Sequence, residues 1–203
     1  MLMRRHAQRG MTLVEVIVTM TILGLLLMLG APSFSGWLQN SRIRTTSEAI
    51  LAGLQFAKSE AVTRNARVRF QLTDTLDNSC ALSTAGRNWV VNLDPNANVG
   101  EVAGLCASAP SDTVAPFIIQ KRAGAEGSGN ITVAAGASSI AFNGLGRPTP
   151  APAGDVVINI TNPGAGSCAA VGGPMTCLRI VVSPAGQVRM CNPTFPAGEP
   201  QAC

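Results

Sequence analysis

The pattern of polar and apolar positions divides the chain into three regimes. No charged side chain appears between Glu15 and Arg42, and from Val16 to Ala31 the residues are almost uniformly apolar. At ~1.5 Å rise per residue, ~20 apolar residues span the hydrocarbon core of a bilayer as a helix. The run reaches that length once its milder flanks, Met11 to Val14 and Pro32 to Leu38, are included. From Ser35 the pattern turns amphipathic. Leu38, Ile43, Ile50, Leu54, Ala57 and Ala61 recur at helical spacing among Arg42, Arg44, Glu48, Lys58 and Arg64. The two stretches predict one helix from Met11 to about Asn65, on the order of 80 Å long. Pro32 is expected to kink it, because proline lacks an N–H and its ring clashes with the preceding turn.

Past Asn65 the period changes to two. Arg67, Arg69 and Gln71 alternate with Val68, Phe70 and Leu72, which predicts a half-buried strand. Further strands are expected at 88–93, 117–121, 131–133, 140–142, 156–160, 178–182 and 187–190. Pro116 marks a strand start or a sheet edge. The strands at 131–133 and 140–142 flank a tight loop. Residues 143–148 form a strong turn signal, and Ser183-Pro184-Ala185-Gly186 closes the last pair as a hairpin. Residues 94–111 and 123–129 read as a loop and a turn, and 192–203 as a Pro-rich tail. The fold class is therefore α+β: a long N-terminal helix, apolar and then amphipathic, packed on an antiparallel β domain. The expected divisions are 1–10, a basic leader; 11–40, the transmembrane part of the helix; 41–65, its amphipathic part; and 66–203, a disulfide-bonded β-rich domain.

Composition sharpens this reading. A chain of 203 residues holds one medium domain beyond the apolar segment, and 21 Gly and 13 Pro with no Tyr suit a loop-rich β domain. Six cysteines, Cys80, Cys106, Cys168, Cys177, Cys191 and Cys203, lie beyond the apolar segment, and an even number there reads as disulfides in an oxidising compartment. Six cysteines permit fifteen pairings, of which those joining Cys80 to Cys106 are favoured. Cys177 facing Cys191 across a hairpin, with Cys168 left to Cys203, is one arrangement of the rest; Cys168–Cys177 with Cys191–Cys203 is the alternative. The sole histidine is His6, in the leader, so a Ser-His or Cys-His nucleophile pair and a zinc site are not expected. Nor is there a phosphate-cradling Gly-Lys-[Ser/Thr] loop. The reading is non-enzymatic, with no cofactor and no metal. Loss of Arg4, Arg5 and Arg9 with the leader takes the 15 basic residues to 12 against 11 acidic ones, so bulk charge gives no prior for nucleic acid. The six Arg and Lys between Arg42 and Arg69 read as a solvated helix face or as subunit contacts.

The N-terminus carries the sharpest motif. Glu15 sits just inside an apolar segment, where a carboxylate is costly and needs a partner. The punctuating Gly10 comes before the apolar run, so cleavage there would remove the basic leader and keep the helix. Gly10-Met11-Thr12-Leu13-Val14-Glu15 resembles the type III signal of the type IV pilin and pseudopilin class. The resemblance implies that a prepilin peptidase cleaves after Gly10 and methylates the new N-terminus at Met11, a position where the family usually has Phe. It further implies that Glu15 pairs with the N-terminal amine of a neighbouring subunit during filament growth. Pilins also carry a proline at the place of Pro32. The basic leader is expected to stay on the cytoplasmic side so that the later chain faces outward; the resemblance implies that this is the periplasmic side of the inner membrane, before assembly into a pilus or pseudopilus.

Three stretches are similar to the FimT/GspH branch of minor pilins and pseudopilins: Ala57 to Asn65, Ile140 to Arg147, and Arg179 to Cys191. This resemblance implies a minor pilin that aids type IV pilus assembly, or alternatively a minor pseudopilin of a type II secretion system. FimT proteins that bind double-stranded DNA for natural transformation share a C-terminal Gly-Arg-x-Arg motif. Its counterpart here is Gly186-Gln187-Val188-Arg189, in which Gln187 replaces one cation. Gln can hydrogen-bond a phosphate oxygen but releases no counterion. Arg179 and Arg147, or Lys121 and Arg122, would have to compensate.

Overall fold

The computed structural model describes residues 11–95, 102–124 and 128–203, apart from the side chains of residues 29–33 and 128. Its first element is α1 (Leu13–Arg64), a single helix of 52 residues. Eight strands follow: β1 (Val68–Thr73), β2 (Asn88–Leu93), β3 (Ile118–Arg122), β4 (Thr132–Ala135), β5 (Ser139–Phe142), β6 (Val156–Thr161), β7 (Leu178–Val182) and β8 (Val188–Cys191). They form two antiparallel four-stranded sheets, in the orders β3-β2-β1-β5 and β4-β6-β7-β8. The chain divides into two compact units, Met1–Leu38 and Gln39–Cys203.

In the first unit the helix starts on Thr12, whose hydroxyl accepts the Glu15 amide hydrogen at 3.3 Å while its carbonyl accepts the amide hydrogen of Val16. Large apolar side chains from Leu13 to Met28 are exposed around the whole circumference. Among the described residues no helix is long and apolar enough to cross a membrane; the apolar run of the sequence continues beyond Met28 into residues 29–33, whose side chains lie outside the described residues. The backbone of α1 continues as helix through Pro32, the position of the predicted kink.

In the second unit the periodic residues of α1 form the core. Ile43, Ile50, Leu54, Ala57 and Ala61 are fully buried, whereas Leu38, the last residue of the first unit, is exposed. Each large aliphatic side chain removed from water contributes ~1.5–3 kcal/mol. They pack with Val68, Phe70 and Leu72 of β1, Trp89 and Val91 of β2, Ile140 and Phe142 of β5, and Ile158, Ile160, Ile180 and Val182 of the second sheet. Gly53 sets the closest approach. A Cβ there would lie 2.8 Å from both the Phe70 and Trp89 rings. The helix ends at Arg64 because Asn65 turns left-handed (φ 46°), and the Ala66 amide hydrogen bonds the Ala61 carbonyl.

Four features differ from these expectations or complete them. First, β1 is buried on both faces, not one. It is an inner strand, flanked by β2 and β5. Its polar face is covered by a second small core of Cys80, Val90, Val102, Cys106 and Ile118. On that face the Gln71 amide donates to Asn92 at 3.0 Å, and Arg69 meets the wholly buried Asp94 at 2.7 Å. Second, β4 and β5 flank a tight loop but do not pair; β4 joins β6 and β5 joins β1. Short strands find their partners through sheet packing, not through the loop between them. Third, the disulfides are Cys80–Cys106 and, of the two arrangements open for the other four cysteines, Cys168–Cys177 with Cys191–Cys203. The β7–β8 register sets Cys191 opposite Arg179, so Cys177 lies two residues past the facing position and cannot bridge the hairpin. Fourth, the basic residues from Arg42 to Arg69 are not all a solvated face. Lys58, Arg67 and Arg69 are turned onto protein partners.

Candidate functional site

Two of the three stretches singled out in the sequence meet at the C-terminal end of α1, and the hairpin of the third joins them. The loop after β5 is built by Asn143. Its side-chain oxygen accepts the amide hydrogens of Leu145 and Arg147, and its amide hydrogen bonds the Arg147 carbonyl at 2.9 Å. This Asx-type closure is what an Asn-Gly turn favours. Gly144 lies against Asn65, the residue that stops the helix, with no room for a Cβ. The hairpin after β7 is closed by Ser183, which accepts the Gly186 amide hydrogen on its carbonyl and the Gln187 amide hydrogen on its hydroxyl. Gly186 is left-handed (φ 87°), and a Cβ on it would collide with the Gly146 carbonyl. Lys58 Nζ then donates to the Gly186 carbonyl at 2.8 Å. Helix, loop and hairpin are thereby locked together.

Beside this junction runs an open groove of about 440 Å³. It is lined by Gln55, Lys58, Ser59, Val62 and Thr63 of α1 and by Gln187 and Val188. Arg147 is exposed at the adjacent loop. One turn further along α1, Arg64 is bonded to Glu60 at 2.7 Å and reaches Asp112 at 3.5 Å. The hydrogen bond that Arg64 donates to the Glu60 carboxylate, more than any other cause, holds the Arg64 guanidinium pKa above its ordinary value.

The sequence candidates are thus divided between two places. Gly186, Gln187 and Arg147 gather at the junction. Strand alternation sends Val188 toward the core and Arg189 to the opposite face. There Arg189 Nη1 donates to the Ala202 carbonyl at 3.0 Å, beneath the tail tied by Cys191–Cys203. Arg179, on the same face, donates to Asn159 at 2.8 Å. Lys121 is fastened to the carbonyls of Cys106 and Ser108, whereas Arg122 is exposed. Gly10 lies outside the described residues. Met11 and Glu15 are exposed at the start of the first unit. A helix apolar on every side takes a membrane or a bundle of other helices as its surroundings.

Sequence reasoning missed two contributors. Thr12 is the N-cap of α1, and the signal was present, since Thr12-x-x-Glu15 has the spacing of a capping box. It sets Glu15 in the first helical turn, where the helix dipole favours a carboxylate. Lys58, read as a solvent-facing charge, is the tie between helix and hairpin. Nothing local in the sequence signals that bond, because its acceptor lies 128 residues away.

A long N-terminal helix, apolar first and carrying a disulfide-bonded antiparallel β domain after it, defines the pilin and pseudopilin class of filament subunits. Residues 46–186 match the family described as Type II transport protein GspH, and the chain belongs to that family. Residues 5–31 match the prokaryotic N-terminal methylation motif. Among solved structures the chain resembles the type IV minor pilin FimU of Pseudomonas aeruginosa (strain PAO1) in two crystal forms. One is 17% identical over 79% of this chain and 98% of that one, with a TM-score of 0.45. The other is 16% identical over 82% and 98%, with a TM-score of 0.49. No curated protein matches the chain.

Proposed function

We propose that the chain is a minor pilin: a non-catalytic, FimT-like subunit that helps assemble a type IV pilus. It is processed after Gly10, N-methylated at Met11, held as a single-pass protein in the inner membrane with its β domain periplasmic, and drawn into the filament through Glu15. The observation that carries the reading is the union, in one chain, of the methylation motif and the GspH region. The exposed apolar surface of the first unit supports it, since that surface needs lipid or neighbouring helices. Pro32 is the proposed kink that lets the helix adapt between these two surroundings. The test is processing. Wild-type chain recovered from cells should have lost the mass of residues 1–10 and gained a methyl group, and Gly10→Ala should retain the leader. A Gly10→Ala chain shortened by the leader's mass contradicts the reading.

The second reading is a minor pseudopilin of a type II secretion system, favoured by the description of the matching family. Deletion separates the two: loss of piliation marks the first, and loss of protein secretion with intact pili the second.

DNA capture is the finer form of the pilus reading. Exposed Arg147 beside Gly186 and Gln187 supports it. Gln187 in place of a cation, and the ties of Arg179 to Asn159 and of Arg189 to Ala202, count against a strong site. Assembly is therefore the principal role.

A further inference from the structure

The first unit ends in a feature that filament assembly does not account for. Phe34 and Trp37 stand three residues apart on one face of α1, their ring centroids 5.9 Å apart and their planes tilted by 32°. Both are largely exposed, at 63% and 64%. Of the chain's two tryptophans, Trp89 is in the core at 2% exposure. Such a surface pair is costly in water, and its position in the chain says what covers it.

Trp37 follows Glu15 by 22 positions, which is roughly 33 Å of helix at ~1.5 Å per residue. The hydrocarbon core of a bilayer is ~30 Å thick. When Glu15 sits at the boundary on the side of the basic leader, Trp37 therefore reaches the opposite boundary. The charge pattern agrees. No charged residue lies between Glu15 and Arg42, and Arg42 and Arg44 follow Trp37 by five and seven positions. A tryptophan has a large apolar body and one N–H donor, which suits the wet, carbonyl-rich zone between headgroups and acyl chains.

We infer that Phe34 and Trp37 form an aromatic anchor for the phospholipid interface at the membrane face opposite the leader, fixing how deeply the unassembled subunit sits. The inference rests on the membrane-inserted reading above. The anchor opposes sinking of the helix while the subunit waits for assembly.

The test is depth-resolved quenching in phosphatidylcholine vesicles brominated either near the acyl carbonyls or near the chain ends. The full-length chain is reconstituted as wild type and as Trp37→Phe, and the difference between them isolates Trp37 from the buried Trp89. A Leu23→Trp, Trp37→Phe chain reports on the middle of the span. The expected result is that shallow bromines quench Trp37 at least about twofold more than deep ones, with the order reversed for Leu23→Trp. Equal or deeper quenching of Trp37, or none, while Leu23→Trp is quenched deeply, overturns the anchor and leaves the inserted helix standing. Absence of quenching at Leu23→Trp overturns both.

Discussion

Lys58 on α1 donates to the carbonyl of Gly186, 128 residues later, at 2.8 Å. The bond fastens the helix to the β7–β8 hairpin at the one point where the loop after β5 also arrives. Lys58→Met keeps the aliphatic stem and removes the donor, so it isolates the hydrogen bond. It should destabilise the protein by about 1.5 kcal/mol, the lower end of the range for a hydrogen bond from a charged group. Gly186→Ala should cost more, at least about 2 kcal/mol, because left-handed strain adds to the collision with Gly146. Gly172 provides the control. It has a similar φ of 82° with open space around it, so Gly172→Ala carries the strain without the collision. Urea midpoints of the detergent-solubilised chain check the order, and equal losses at Gly186 and Gly172 would contradict the packed junction.

A second prediction concerns the polar face of the first sheet. Asp94 is buried between Arg67 Nε at 2.8 Å and Arg69 Nη2 at 2.7 Å. These are ion pairs by distance, although neither carboxylate oxygen has the alignment of a hydrogen bond. Asp94→Ala leaves Arg69, almost wholly buried, without its counter-charge and should cost ~3–5 kcal/mol. Denaturant unfolding reads this directly. A loss under about 1 kcal/mol would show that the arginines find water instead.

The contrast between these two places shows what the sequence makes legible. The amphipathic stripe from Ile43 to Ala61 is read correctly because helical period and burial coincide. Strands β2 and β7 fall where β-branched and aromatic runs predict them. Arg69 and Gln71 mislead because alternation reports side-chain polarity, and here the polar face is covered by a loop stapled through Cys80–Cys106. The pairing of Cys177 is illegible for a related reason. It depends on a register that brings Arg179, not Cys177, opposite Cys191. Glu15 and Gly10 are legible as a motif, but the convergence of Lys58, Gly146 and Gly186 depends on tertiary contacts alone.

Nucleic-acid binding gives a third prediction. Arg179 and Arg189 each spend a donor on Asn159 and on Ala202, while Arg147 is exposed. Binding of a labelled duplex should therefore be weak, should fall as salt rises, and should lose more with Arg147→Gln than with Arg179→Gln. Each phosphate contact removed should reduce the slope of log K against log salt by about 0.9. A titration at several salt concentrations checks this. Absence of binding at the lowest salt removes DNA capture and leaves assembly.

On the proposed function, Glu15 draws the processed subunit into a filament. Thr12 caps the helix and holds Glu15 in the first turn, beside the N-terminus that cleavage after Gly10 would create. The most direct measurement compares Glu15→Ala with wild type at native expression, scoring leader removal by mass and incorporation by the amount recovered with sheared filaments. The Glu15→Ala chain should be fully processed, stay in the membrane fraction and be depleted from filaments at least about tenfold, the equivalent of roughly 1.4 kcal/mol. Normal incorporation of Glu15→Ala would contradict this role of Glu15.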